Sequence, residues 1–125
     1  MRLLLDTHIF LWIVNDSQRL NARVRRLLES AGEIYVSSAS IWEVSIKARL
    51  GKIKADPDEL LLEIERCGFQ ELAVQGRHAV EVARLPLHHG DPFDRLLVAQ
   101  AISEPMRLIT EDERLCAYSE LVIQV

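Results

Sequence analysis

Short unbroken apolar runs alternate along this chain with stretches whose apolar residues return at helical spacing. Arg2-Leu-Leu-Leu-Asp6 suits a strand buried on both faces, as in a parallel sheet. Thr7 to Val14 reads as a short helix. Asn21 to Ala31 reads as a second, with Val24, Leu27 and Leu28 on one side and arginines on the other. Glu33 to Ser37 is β-prone, and Ser40 to Leu50 is a helix ended by Gly51. Asp58 to Cys67 is helical and closed by Gly68, and Phe69 to Val74 is a short strand. A helix follows from about Arg77 to Arg84, then the loop Leu85 to Gly90. Asp94 to Ser103 is a strongly apolar helix and Arg107 to Thr110 a strand. Glu113 to Tyr118 makes a helical turn or two, and Leu121 to Val125 is the closing strand. Strands alternating with helices predict an α/β fold with a mostly parallel sheet.

Composition narrows this. With 125 residues, 49% of them hydrophobic, the chain predicts a single domain over residues 1–125 with one real core. No apolar run is long enough to cross a bilayer, and the N-terminus, broken at once by Asp6, does not read as a signal peptide. Cys67 and Cys116 have no metal-ligand spacing, so the expectation is two reduced, packed thiols in a cytoplasmic protein. The net charge of −4 argues against a general nucleic-acid-coating protein. Its distribution is uneven, +4 over residues 1–54 and −8 over residues 55–125. Arg19, Arg23, Arg25, Arg26, Lys47, Arg49, Lys52 and Lys54 therefore form either one basic face or ordinary solvated helix surfaces.

Four carboxylates fall where such a fold places a ligand crevice. Asp6 ends a strand, Asp112 follows one by two residues, and Glu43 and Asp94 lie in first turns of helices. Converging there, they would repel one another unless a cation joined them, and oxygen-only ligands suit Mg²⁺ or Mn²⁺. Three of the four also have a local reading. Ser40-x-x-Glu43 has the form of a capping box, and Glu43 precedes Lys47 by four residues, the spacing of a helical ion pair. Asp91-Pro92-Phe93-Asp94 can be an N-cap, a proline at N1 and an acidic N3. Thr110-x-x-Glu113 is a second possible capping box, with Asp112 in the positive first turn. Asp6 has no such account: Thr7 is available to cap the helix, and a carboxylate entering a core is costly unless paired or metal-bound.

Four motifs in order resemble the PIN-domain toxins of VapC type, the ribonuclease halves of prokaryotic toxin–antitoxin pairs. They are Leu3-Leu-Leu-Asp-Thr-His8, Ser38-Ala-Ser-Ile-Trp-Glu-Val44, Asp91-Pro-Phe-Asp-Arg-Leu-Leu-Val-Ala-Gln-Ala101 and Leu108-Ile-Thr-Glu-Asp112. The resemblance covers essentially the whole chain. It implies a three-layer PIN-like fold with a central, mostly parallel five-stranded sheet, a homodimer, and a small VapB-like antitoxin that binds and inhibits. It places the acidic site on Asp6, Glu43, Asp94 and Asp112, with Thr110 supporting and Asp91 left as an N-cap. The implied chemistry is hydrolysis of RNA with one or two Mg²⁺ or Mn²⁺ ions. Asp6 and Asp94 would be the principal ligands, Asp112 would complete the site, and Glu43 would orient or deprotonate the water. His8, His88 and His89 read as ordinary loop and surface residues rather than proton carriers or phosphate contacts. Trp12 and Trp42 read as core or dimer packing rather than base-stacking platforms.

Phosphoaspartyl hydrolases want a second Asp two residues after the first, where this chain has His8. A phosphoreceiver domain wants a Lys after its last strand, and Leu121-Val-Ile-Gln-Val125 lacks one. No glycine-rich phosphate loop occurs. The remaining alternatives are a catalytically silent PIN-like domain that binds RNA or protein, and a metal-dependent DNA nuclease.

Overall fold

The computed structural model describes all residues, 1–125. Five strands, β1 (Arg2–Leu5), β2 (Glu33–Ser37), β3 (Gln70–Leu72), β4 (Arg107–Thr110) and β5 (Val122–Gln124), form one sheet in the order β3-β2-β1-β4-β5. Every neighbouring pair is parallel. The helices are α1 (Thr7–Val14), α2 (Ala22–Ser30), α3 (Ser38–Arg49), α4 (Pro57–Arg66), α5 (Gly76–Val82) and α6 (Pro92–Ser103), with a 3-10 turn at Glu113–Ala117. This is the mostly parallel α/β sheet that the pattern predicts, in the three-layer, five-stranded arrangement that the resemblance implies. No helix is long and apolar enough to cross a membrane.

Side-chain alternation along β1 builds both layers. Leu3 and Leu5 point into a core with Ile9, Phe10, Val24, Val44, Leu60 and Ile64, while Leu4 enters a second core with Leu97, Val98, Ala101, Met106, Leu108 and Leu115. All three leucines are fully buried, which is why β1 reads as an unbroken apolar run. Burying each contributes roughly 1.5–3 kcal/mol. Strand order reverses between β1 and β4, so a crevice opens beyond their carboxyl ends. Gly51 and Gly68, each just past a helix, hold φ of +74° and +78°, the left-handed turn that stops α3 and α4.

Two expected capping boxes are replaced. α3 begins at Ser38, and its cap is Ser37, whose hydroxyl accepts from the Ala39 N–H at 3.0 Å. Ser40 is instead buried at the third position of the helix. After β4 the cap is Asp112, which accepts from the Arg114 N–H at 3.0 Å, because Thr110 still belongs to the strand. Nor does Thr7 cap α1: it is the helix's first residue and its hydroxyl points elsewhere. The Asp91-Pro92 start of α6 is as the sequence reads, with Asp91 accepting from Phe93 and Asp94 N–H at 2.9 and 3.0 Å. Trp12 packs against the core, but Trp42 is 60% exposed and meets Phe93 edge-on at 5.1 Å, so it is no part of this chain's core. Both cysteines are free, Cys67 half-buried and Cys116 exposed rather than packed, beside an inward-pointing Leu115.

Candidate active site

The crevice is a cavity of about 400 Å³ lined by ten residues, none of them hydrophobic. Six are acidic (Asp6, Glu43, Asp91, Asp94, Glu111, Asp112) and four carry or can carry positive charge (His8, Lys47, His89, Arg114). All four carboxylates singled out in the sequence therefore face one space. β1 delivers Asp6, α3 delivers Glu43, the start of α6 delivers Asp94, and the segment after β4 delivers Asp112.

Asp6 and Glu43 form the buried floor, each 4% exposed. The Asp6 N–H extends the sheet by bonding the Ile109 carbonyl at 2.9 Å, and its carboxylate accepts from the Thr110 hydroxyl at 2.5 Å. Thr110 also accepts from the Asp112 N–H at 3.1 Å, tying the last acidic residue to the first. One Glu43 oxygen accepts from Thr7 at 2.7 Å, and the Thr7 hydroxyl lies 2.9 Å from that of Ser40. The other accepts from Lys47 at 2.5 Å, the ion pair expected from the helical spacing.

Asp94 and Asp112 form the more open rim, their side chains 18% and 19% exposed. Burial pushes the Asp94 carboxyl up to about 6, and the negative charges of Asp6 and Asp91 add to that against a hydrogen bond from His89. Burial likewise raises Asp6, opposed mainly by Thr110. Asp112 is lowered, because the Arg114 guanidinium grips both its oxygens at 2.9 and 2.8 Å. The cleft thus holds more negative charge than its own cations neutralise.

His89, which reads in the sequence as an ordinary loop residue, lines the cleft. Its Nε2 lies 2.9 Å from Asp94 and 3.6 Å from Asp112. The only local signal was its place just before Gly90-Asp91-Pro92, the start of a helix bearing a site carboxylate. His8 is exposed yet lines the cleft, and His88 is exposed and stacks edge-on against Tyr118 at 5.1 Å. Of the eight basic residues weighed as one basic face, Lys47 turns into the cleft and the other seven are exposed.

A parallel sheet with an all-polar, carboxylate-rich crevice at its switch point defines an α/β domain built to hold charged ligands. The sequence profile of the PIN domain matches residues 3–121, and the chain belongs to the PIN-domain family. It is similar to Ribonuclease VapC22 of Mycobacterium tuberculosis (strain ATCC 25618 / H37Rv). The two are 32% identical over 114 residues, 90% of this chain and 88% of that protein. The fold resembles that of VapBC2 from Rickettsia felis, solved bound to a DNA fragment from the promoter. There the TM-score is 0.71 at 18% identity, over 100% of this chain and 98% of that one. A toxin–antitoxin complex from Klebsiella pneumoniae matches with a TM-score of 0.66 at 18% identity, over 97% and 95% of the two chains.

Proposed function

We propose that this chain is an endoribonuclease that hydrolyses RNA phosphodiester bonds with Mg²⁺ or Mn²⁺ bound in the acidic cleft. It acts as the toxin of a toxin–antitoxin pair, as a homodimer held in check by a small antitoxin. The carrying observation is the cleft itself: six carboxylates face one cavity with no apolar wall. The similarity to a protein named a ribonuclease, and to folds solved in toxin–antitoxin complexes, supports the substrate and the partner.

The donor set fits a hard divalent cation, since the cleft offers carboxylate oxygens from Asp6, Asp94 and Asp112 on one all-polar surface. Bound there, a divalent ion supplies Lewis acidity toward a phosphate oxygen and lowers the pKa of a water. Asp6 and Asp94 are the principal ligands, and Asp112 completes the site. Thr110 fixes the Asp6 carboxylate from below. Glu43 orients or deprotonates the water, with Thr7 locking one of its oxygens so that the other faces the cleft beside Lys47. Lys47 and Arg114 set positive charge at the cleft wall for the RNA backbone. Specificity comes from unpaired bases of a loop substrate.

The test uses purified chain free of any partner, with Mg²⁺ and matched RNA and DNA hairpins. RNA cleavage is expected. Cleavage of DNA alone would replace this reading with a DNA nuclease.

A further inference from the structure

His89 reaches the cleft on the loop between α5 and α6, and that loop is held at several points. The Tyr118 hydroxyl accepts from the His89 N–H at 2.8 Å and from the His88 N–H at 3.2 Å, and lies 3.2 Å from the His89 carbonyl. Arg95, on α6, donates to that hydroxyl at 3.1 Å and to the carbonyls of Pro86 and Val82 at 3.0 and 3.2 Å. Its guanidinium also lies over the Tyr118 ring, 5.9 Å from the centroid. The side chain of His89 is left 11% exposed, turned inward onto two carboxylates. A solvated loop histidine would need none of this support.

We propose that His89 is a nitrogen ligand to the cation of this cleft, beside Asp94 and Asp112, and that it biases the site toward Mn²⁺ over Mg²⁺. The inference rests on the cation-dependent reading above and names a ligand that an all-carboxylate site would lack. An octahedral ion with bonds of about 2.1 Å places neighbouring ligand atoms about 3 Å apart. His89 Nε2 stands 2.9 Å from Asp94 Oδ2 and 3.6 Å from Asp112 Oδ2, and the ligand atoms of the three residues lie within 4.8 Å of one another. Bringing that set onto one ion requires the Asp112 carboxylate to turn toward His89 and exchange its Oδ2 contact with Arg114 for the cation. Imidazole nitrogen favours first-row transition ions, whereas Mg²⁺ keeps to oxygen ligands and water.

The experiment loads the purified chain with Mn²⁺ alone and records pulsed electron paramagnetic resonance. A ¹⁴N modulation from directly bound imidazole is expected, changing to the ¹⁵N pattern when histidine is isotopically labelled. His89→Ala should abolish it and weaken Mn²⁺ binding about tenfold or more, with Mg²⁺ binding, read by competition, changed less than about threefold. His8→Ala, altering the other cleft-lining histidine, should keep the modulation. Bound Mn²⁺ without nitrogen modulation in the parent chain, or modulation that survives His89→Ala, overturns the inference and leaves a carboxylate cation site intact. A parent chain that binds no Mn²⁺ and no Mg²⁺ at millimolar concentration refutes the cation-dependent reading itself.

Discussion

Asp94→Asn should stabilise the protein when no metal is present and destabilise it relative to the parent when metal is added. The Asp94 carboxyl is pushed from the ordinary 3.8 up to about 6 in the folded chain. A folded pKa above the unfolded one means that the charged form costs stability. That cost is absent below about pH 4, grows through the interval up to about 6, and is fully present at neutral pH. Two pKa units correspond to about 3 kcal/mol before screening, and the open side of the cleft reduces this to about 1.5 kcal/mol. Asparagine keeps an oxygen for the His89 hydrogen bond but forfeits about 0.5 kcal/mol of favourable charge in the first turn of α6. The net is about 1 kcal/mol of stabilisation at pH 7.5 in EDTA, a rise in melting temperature of about 4 °C. The assay is urea unfolding of both proteins at pH 7.5 and pH 4.0, in EDTA and then in saturating Mn²⁺. The advantage should vanish at pH 4.0 and reverse in Mn²⁺, which stabilises only the chain that binds it tightly. A variant less stable than the parent at pH 7.5 in EDTA would show that Asp94 is held by its histidine rather than strained by burial and its acidic neighbours.

Asp6→Asn should abolish cleavage yet leave the metal-free fold at least as stable, because the amide oxygen still accepts from Thr110 while one buried charge disappears. Unfolding of that variant, read by circular dichroism, would make Asp6 a structural residue. Glu43→Gln should slow cleavage about 100-fold or more and cost about 1–2 kcal/mol, since Gln still accepts from Thr7 but the buried charge partner of Lys47 is lost, measured by initial rates beside a thermal melt. Cleavage at the parent rate would remove Glu43 from the catalytic set. Ser37→Ala should cost about 1 kcal/mol as the true cap of α3, with activity largely spared, and chemical denaturation checks it. Tyr118→Phe strands the His89 N–H, whereas the His88 N–H keeps the Pro86 carbonyl at 3.1 Å, and should lower stability by about 1 kcal/mol in the same assay.

Much of the frame is legible in sequence because it is set by local patterns. The Leu3-Leu4-Leu5 run reads as a doubly covered strand, Gly51 and Gly68 mark helix ends, and Asp91-Pro92 marks a helix start. The four acidic residues are legible as a group since strand ends and first helical turns converge in a parallel sheet. What escapes is contact across long separations. Ser40-x-x-Glu43 and Thr110-x-x-Glu113 match the capping pattern, but the pattern does not record where the preceding strand stops. Thr110 finishes β4 and spends its hydroxyl on Asp6, 104 residues away, an adjacency created by the pairing of β1 with β4. Thr7 serves Glu43 rather than its own helix because the pairing of β1 with β2 sets the start of α1 beside α3. His89 depends on Arg95 and on Tyr118, 29 residues further along, so its loop looks featureless until the clamp is seen.

The most direct test of the account follows RNA cleavage by the purified chain, alone, through removal and return of the cation. Cleavage should run with Mg²⁺ or Mn²⁺, stop in EDTA, resume when Mn²⁺ is restored in excess, and be missing throughout from Asp94→Asn. Equal cleavage in EDTA, or cleavage by Asp94→Asn at the parent rate, would contradict a cation-dependent site built on this cleft.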